Sequence, residues 1–377
     1  MKNKPKRILH ITEMLSAAGI ESFIMNMYRN IDRNKIQFDF LVLRNEKEFY
    51  DEEISLLGGK KYFVHSDINN TLLRVLDESN QIENFLKHNH YDIVHIHYTT
   101  PLRAFYLKAA KKAGVPIRIY HSHSAEISGK TRIKLMIYNY CKRIIDKYAT
   151  NCFACSEAAA QWIFSKHALK NKSVKIIYNG IDTKRFSFRK DIREKLRNDL
   201  GIQNKYVIIN TGRFTEQKNQ SFLIDVVNLC KSKGQNVKLL LLGDGPLKKE
   251  CQDKVHKLGL EKVIEFLGVK SNVEEYLCAS DCYVMPSLYE GLPVAGIEAE
   301  CTGIPCVFSE NITKEVKLNN NVQFMSLSLS TEMWMDAIMK NRRRNDRTRA
   351  VNTVKNAGYD IHDVTLNMQD FYLQRNS

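Results

Sequence analysis

The chain has 377 residues, of which 44% are hydrophobic and 26% are charged, so the composition excludes a disordered protein and favours two globular domains. No run of about 18 apolar residues occurs and the start, MKNKPKRILHIT, has no signal-peptide pattern, which argues against membrane-spanning and secretory segments. The formal net charge of +15 predicts an anionic partner: nucleic acid, a phosphorylated substrate or an anionic membrane surface. The nine cysteines, an odd number, predict reduced thiols and a cytoplasmic protein.

Strand-like and helix-like segments alternate along the first half of the chain, as in parallel sheets covered by helices. We predict strands at KRILHIT, QFDFLVL, KYFV, DIVHIH and VPIRIY, and helices over about 20–30, 71–88 and 101–112. The second half repeats the pattern with KYVIINTGR, KLLLLG, VIEFLG, CYVMPS and CVF. Two Rossmann-like domains follow from this, over 1–175 and 176–359, with a final helix in 360–377 that returns to the first domain.

Two strand-to-helix turns of the first half carry candidate functional residues. Gly19 stands just before a predicted helix, where a backbone without a side chain can approach an anion; an ordinary turn is the alternative reading. His121 and His123 follow the strand VPIRIY, and a histidine there can donate to a sugar hydroxyl or a phosphate. Periodicity leaves open which of the two points inward. His95 and His97 share a strand face, but without a third ligand at strand spacing we expect no metal site.

The segment GKTRIKLMIYNYCKRIIDKYA predicts a basic amphipathic helix. Its cations alternate with apolar residues and include Lys130, Arg132, Lys134, Lys142 and Arg143. Such a helix can lie on an anionic membrane, and a core helix with a solvated basic face fits equally well.

Two turns of the second half are the strongest candidates for a binding site. Arg213 and Lys218 flank a helix start after KYVIINTGR, and two cations beside exposed helix N–H groups suit a pyrophosphate. Glu290 and Glu298 lie eight residues apart in SLYEGLPVAGIEAECTGIPCV, where a strand, a loop and a helix follow one another. Such a carboxylate pair can act as acid and base or can hold hydroxyl groups, for example those of a ribose.

Together these stretches resemble the retaining glycosyltransferases of family 4, in the branch that makes capsular polysaccharide or exopolysaccharide. The resemblance covers about residues 6–320 and rests on AAGIESFIMNMYRNID, IVHIH, RIYHSHS, FACSEAAAQWIF, YNGIDTKRF, GRFTEQKN, LLGDGPL, FLG and the Glu290–Glu298 segment. It implies the GT-B fold, in which two Rossmann-like domains face each other across a deep cleft.

The resemblance also assigns roles to individual residues. Arg213 and Lys218 match the cations on the donor diphosphate, Glu298 the carboxylate on the donor ribose and Glu290 the one beside the transferred sugar. Gly19 matches the loop over the phosphates. One of His121 and His123 matches the histidine near the transferred sugar, and we favour His123.

The sequence departs from the family pattern at two of these sites. Ala18-Gly19 stands where two glycines are usual, and Gly291 is followed by Leu292-Pro293 where many members have Phe-Gly. Proline has no N–H group, so any phosphate contact there must come from a neighbour such as Val294.

The implied function is transfer of a sugar, with retention, from a nucleotide sugar to a glycan acceptor. We expect a UDP-sugar donor, no metal and no other cofactor, and a lipid-linked acceptor at the inner face of the membrane. The first alternative is a nucleotide-sugar 2-epimerase of the same fold. The second is a basic nucleic-acid-binding protein, but the placement of the candidate residues at strand ends argues against it, so we expect no nucleic-acid partner. The sequence does not identify the sugar, the linkage or the oligomeric state.

Overall fold

The computed structural model describes residues 4–16, 19–123, 131–171, 174–340 and 346–374. Its contacts divide the chain into two compact units: unit 1 is Met1–Gly180 with Ile361–Ser377, and unit 2 is Ile181–Asp360. The chain therefore passes from unit 1 to unit 2 after Gly180, whereas the sequence predicted a boundary at residue 175. It returns to unit 1 after Asp360.

Unit 1 contains a seven-stranded parallel sheet of order β3-β2-β1-β4-β5-β6-β7. Its strands are β1 (Lys6–Ile11), β2 (Ile36–Val42), β3 (Lys61–Phe63), β4 (Ile93–Tyr98), β5 (Ile117–Ser122), β6 (Asn151–Ala154) and β7 (Lys175–Ile176). The β4 and β5 strands are buried throughout, because helices cover both faces of a parallel sheet.

The helices of unit 1 follow its strands in the expected alternation. In the segment up to Gly180 they are α1 (Gly19–Asn30), α2 (Asp51–Leu56), α3 (Thr71–His88), α4 (Phe105–Lys112), α5 (Arg132–Tyr148), α6 (Glu157–Ile163) and α7 (Lys166–Asn171). The α3 helix shows why they form: the Asn70 side chain caps it by accepting from Leu72 N and Leu73 N, both at 3.1 Å. Its apolar stripe of Val75, Ile82 and Leu86 is then buried on the sheet.

Unit 2 repeats the topology with six parallel strands in the order β10-β9-β8-β11-β12-β13. The strands are β8 (Tyr206–Thr211), β9 (Val237–Leu242), β10 (Ile264–Gly268), β11 (Cys282–Met285), β12 (Cys306–Ser309) and β13 (Val322–Met325). The helices are α8 (Lys190–Asp199), α9 (Gln220–Ser232), α10 (Lys248–Lys257), α11 (Val273–Ala279), α12 (Val294–Cys301), α13 (Thr331–Lys340) and α14 (Ala350–Val354). The strand order reverses beside β8, and ligands of such sheets bind at the carboxyl ends of the strands at that point.

A glycine allows two loops at this edge of unit 2 to touch. Gly243 follows β9 with φ 133°, and a Cβ there would lie 2.1 Å from the carbonyl oxygen of Gly212 in the loop after β8. Phe214 N also donates to Asp244 O at 2.9 Å. The loops after β8 and β9 are thus held together by backbone contact that a side chain would prevent.

The last helix, α15 (Ile361–Leu373), belongs to unit 1 although unit 2 precedes it in the chain. Its buried residues join the core formed by α1 and β2, and two hydrogen bonds to distant residues hold it there. Lys6 Nζ donates to Tyr372 O at 2.9 Å, and Gln369 Oε1 accepts from Asp32 N at 2.9 Å.

All nine cysteines lie in described ranges, where each of them is buried. Within the same ranges, none of the helices combines the length and the apolar character needed to cross a bilayer.

Candidate active site

Two loops of unit 2 that carry predicted site residues are bonded to each other. The loop after β8 contains Lys218, and the loop after β11 contains Glu290. Leu288 N donates to Gln217 O at 2.8 Å, and Gln217 Nε2 donates to Tyr289 O at 3.0 Å. The loops meet because β8 and β11 are neighbours in the sheet although they are far apart in the chain.

Lys218 and Glu290 form an ion pair in which Nζ and Oε1 are 2.6 Å apart. The two side chains are only 20% and 10% exposed, so solvent screens their attraction less than at an open surface. Arg213, on the same loop as Lys218, is exposed, and its carbonyl accepts a hydrogen bond from Gln220 Nε2 at 3.3 Å. One of the two predicted diphosphate cations is therefore paired and the other is open to solvent.

Glu298 lies on α12 in a setting that favours its neutral form. Burial raises the pKa of its carboxyl to about 7; the charge of Arg185 opposes this rise and that of Glu274 adds to it. Arg185 is itself bound to Glu274, with Nη2 and Oε2 2.8 Å apart. The sequence analysis assigned no role to Arg185 or Glu274. Arg185 belongs to the segment YNGIDTKRF, and its position shortly after Gly180 was the signal that could have marked it as a candidate.

The N-terminus of α12 supplies backbone donors next to these carboxylates. Pro293 is the N-cap residue and Val294 the first residue of the helix, while Gly291 is exposed and Leu292 is half-buried in the loop before it. The first N–H groups of a helix have no partner inside it, so those of Val294 and the next residue remain for an anion. The absence of an N–H on Pro293 removes one donor ahead of them.

In unit 1, Gly19 is the first residue of α1, and a Cβ added to it would meet no described atom within 4 Å. The residues just before it, 17 and 18, lie outside the described part of the chain. Thr12, after β1, donates from Oγ1 to Oε1 of Glu21 at 3.4 Å, and burial raises the pKa of Glu21 to about 7. The expected loop over the phosphates thus begins beside a buried carboxyl group.

The structure separates His121 from His123. His121 is fully buried, has the edge of Phe23 against its ring, and bonds to His95 with Nδ1 and Nε2 3.2 Å apart. His123 follows the end of β5, is partly exposed, and bonds to His97 with Nε2 and Nδ1 2.9 Å apart. Of the two, His123 is the one that a substrate can reach.

Five histidines of unit 1 lie on one face of the sheet, and neighbouring strands provide the third ligand that one strand alone could not. His10, His95 and His97 form one group with the geometry to hold a metal ion, and His97, His121 and His123 form another, with ligand atoms within 4.8 Å of one another. A metal ion in the second group would have to replace the hydrogen bond between His97 and His123. The expectation of no metal therefore remains a prediction.

The first half of α5 presents apolar and basic side chains together. Its exposed apolar residues are Ile133 (71%), Met136 (72%), Tyr140 (58%) and Leu135 (39%). Arg132, Lys134 and Arg143 are exposed among them, whereas Lys142 lies over the Trp162 ring at 5.6 Å from its centroid. Lys130 lies outside the described residues. The second half of α5 does enter the core, through Cys141, Ile144 and Ile145.

Two family models match the chain, one in each half. "Glycosyltransferase Family 4" matches residues 17–185, and "Glycosyl transferases group 1" matches residues 192–327. The two matches contain all of the residues described above for the donor site, together with His121 and His123.

Individual proteins support the same assignment. The putative glycosyltransferase EpsF of Bacillus subtilis is 35% identical over 90% of this chain and 88% of its own. An Escherichia coli enzyme described as UDP-Gal:alpha-D-GlcNAc-diphosphoundecaprenol alpha-1,3-galactosyltransferase is 25% identical over 80% of this chain and 79% of its own.

Among solved structures, HepE of Anabaena in complex with UDP matches with a TM-score of 0.77 at 19% identity, over 97% of this chain and 99% of that one. This likeness and the two parallel-sheet units confirm the predicted GT-B fold. Because the likeness to EpsF runs through nearly the whole of both chains and both family models match, the chain belongs to glycosyltransferase family 4.

Proposed function

We propose that this glycosyltransferase moves a sugar, with retention, from a UDP-sugar to a lipid-linked glycan during capsular or exopolysaccharide assembly. The observation that carries the proposal is the Lys218–Glu290 ion pair beside α12, at the carboxyl ends of the unit 2 strands. A cation held by a carboxylate next to free helix N–H groups suits a diphosphate whose neighbouring sugar needs hydroxyl partners.

The donor half of the proposal gives each group of unit 2 a task. Arg213 and Lys218 stabilise the negative charge that develops on the departing diphosphate, which requires no metal ion. Glu298 accepts hydrogen bonds from the ribose hydroxyls, and Glu290 accepts one from the transferred sugar. The name of the E. coli relative and the UDP bound by HepE support uridine as the base.

Retention requires that the acceptor attack the face of the sugar that the diphosphate leaves. In this scheme the departing diphosphate takes the proton of the acceptor hydroxyl, so the protein supplies no general base. His123, neutral because burial lowers its pKa to about 3, donates a hydrogen bond to the donor rather than removing a proton.

The acceptor half of the proposal rests on α5. Four exposed apolar side chains among exposed cations suit insertion into the head-group region of an anionic membrane. A lipid-linked acceptor is presented at such a surface, and the E. coli relative is named for an acceptor linked to diphosphoundecaprenol. We place the reaction at the cytoplasmic face, where the nucleotide sugar is available.

The test is to incubate the purified chain with UDP-sugars, with and without a polyprenyl-diphosphate-linked glycan, and to measure release of UDP. We expect release only with the acceptor, no loss of rate in EDTA, and a product whose new linkage keeps the anomeric configuration of the donor by NMR. Equal release without acceptor favours the 2-epimerase, and an inverted linkage contradicts retention.

A further inference from the structure

The core of unit 1 contains more histidine than the proposed chemistry uses. His10 of β1, His95 and His97 of β4, and His121 and His123 at the end of β5 point to the same side of the sheet. The strand register explains the grouping, because His10 pairs with His95 and His97 pairs with His121. The proposed function assigns a task to His123 alone.

Three of these side chains form a continuous hydrogen-bonded chain. His10 Nδ1 is 2.9 Å from His97 Nε2, and His97 Nδ1 is 2.9 Å from His123 Nε2. A second chain, Tyr372–His95–His121, runs beside it without a bond to it in the described residues. The first chain therefore leads from the interior at His10 to the partly exposed edge at His123.

The bonds of this chain couple the protonation of its three rings. Burial lowers the pKa of each ring, so all three are neutral near pH 7, and a neutral imidazole has one donor nitrogen and one acceptor nitrogen. Two arrangements satisfy both bonds. Either every ring carries its proton on Nδ1 and donation runs outward from His10 to His123, or every ring carries it on Nε2 and donation runs inward.

The two ends of the chain favour outward donation. His10 Nε2 has no hydrogen-bond partner among the described residues, and the ring lies against Phe38 at 4.2 Å between centroids. Inward donation would leave an N–H group there without an acceptor, and buried N–H groups without a partner are rare. At the other end, His123 Nδ1 and Asn179 Oδ1 are both without a hydrogen-bond partner among the described residues, and Asn179 lies near enough to raise the pKa of His123, although burial lowers it more. Outward donation therefore places its last N–H group near an acceptor oxygen, whereas inward donation places it against an aromatic ring.

We propose that His97 and His10 are positioning residues that hold His123 in the Nδ1–H tautomer, so that Nδ1 donates to a hydroxyl or phosphate oxygen of the sugar nucleotide. The donation rests on the proposed function; the tautomer does not. His123 Nδ1 is buried and, within the described ranges, makes no hydrogen bond, so this proton is available to a ligand. A lone imidazole would divide its protons between the two nitrogens and would donate from Nδ1 only part of the time.

The tautomer can be read directly from two-bond ¹H–¹⁵N spectra of the full chain labelled with ¹⁵N-histidine, because protonated and bare ring nitrogens resonate far apart. The His123→Asn variant identifies the His123 signals by their loss. We expect the Nδ1–H pattern for His123 at pH 7, and an Nε2–H pattern would overturn the proposal.

A matched pair of variants tests the role of His97. The amide nitrogen of asparagine occupies nearly the place of Nδ1, so His97→Asn should keep His123 in the Nδ1–H form, whereas His97→Leu should release it into a mixture of tautomers. We expect kcat to fall roughly fivefold in His97→Leu with KM little changed. If His97→Leu does not fold, His10→Leu removes the donation one ring earlier and carries the same expectation.

An unchanged tautomer in the leucine variants contradicts the proposal. The NMR measurement uses no substrate, so it distinguishes this failure from a failure of the proposed function. If the tautomers shift as expected and no sugar is transferred, the proposed function is wrong, but the proposal that His97 and His10 fix the tautomer of His123 is supported.

Discussion

At the scale of single residues, ion pairs between buried or half-buried side chains lie at the proposed donor site. Lys218 and Glu290 neutralise each other at 2.6 Å, and Arg185 and Glu274 do the same at 2.8 Å close to Glu298. In the proposed function, a diphosphate that binds here attracts Lys218, and Glu290 can then accept a hydrogen bond from a sugar hydroxyl. Binding of the diphosphate to Lys218 would therefore release Glu290 for a new hydrogen bond.

Replacement of Lys218 by alanine should reduce the rate of transfer by about two orders of magnitude, because it removes a fixed charge beside the developing diphosphate charge and leaves Glu290 unpaired. The measurement is kcat for UDP release in the presence of acceptor. Lys254→Ala is the matched control, since Lys254 forms an ion pair of the same length, 2.6 Å, with Asp225 on a helix surface. Equal losses in the two variants would contradict a catalytic role for Lys218.

Glu298 should make nucleotide binding depend on pH. With its pKa near 7, its ionised fraction falls from most molecules at pH 8 to few at pH 6, and only the ionised carboxylate accepts two ribose hydrogen bonds. We expect UDP affinity measured by calorimetry to weaken by up to about tenfold over this range. The Glu298→Gln variant shares the titration of the phosphate groups but lacks this carboxyl, so its affinity should change less. Identical pH profiles would exclude the ribose role.

The sequence located Glu290, Glu298, Arg213 and Lys218 as candidates because each follows a strand, and this property is local. It did not predict the pairing of Lys218 with Glu290, which lie 72 residues apart and meet only because β8 and β11 are adjacent. The ion pair between Arg185 and Glu274 was not predicted for the same reason. Contacts between distant loops depend on strand order, which alternation of strands and helices does not determine.

At the scale of elements, α5 combines two surfaces that the sequence could not separate. In its second half Cys141, Ile144 and Ile145 are buried, as expected for a core helix. In its first half Ile133 and Met136 are exposed beside cations, as expected for a helix that binds a membrane. Periodicity indicated an amphipathic helix but not where along its length the core ends. The short edge strands β7 and β13 were also missed, because two to four residues carry too little alternation.

Ile133→Ser together with Met136→Ser should weaken binding to anionic vesicles by at least about tenfold, because both side chains lose their apolar contribution to insertion. Sedimentation with phosphatidylglycerol vesicles measures the effect. Leu73→Ser with Leu76→Ser is the control, since these residues are 54% and 37% exposed on α3, where one arginine, Arg74, is followed by two acidic residues, Asp77 and Glu78. Similar losses from both helices would argue against a specific role for α5.

At the scale of the whole molecule, the chain builds the same strand order twice and then returns to complete the first unit. The first segment of unit 1 ends at Gly180, and a core cluster of that unit includes Ile361, Val364, Met368 and Tyr372 of α15. The sequence predicted a terminal helix that returns to the first domain, but it did not predict which side chains of that domain the helix contacts. Burial of four such side chains contributes several kcal/mol, a large fraction of the stability of a typical domain, so unit 1 depends on residues made after unit 2.

This dependence can be tested with two substitutions on one helix. Met368 is 1% exposed, and Met368→Ala should lower the free energy of unfolding of unit 1 by about 2–5 kcal/mol. Leu366 is 43% exposed, and Leu366→Ala should cost less than about 1 kcal/mol. Hydrogen–deuterium exchange should then show faster uptake in β1, β2 and α1 of Met368→Ala and unchanged uptake in β8 and β9. Equal uptake in the two units would mean that α15 stabilises the molecule as one cooperative body rather than unit 1 alone.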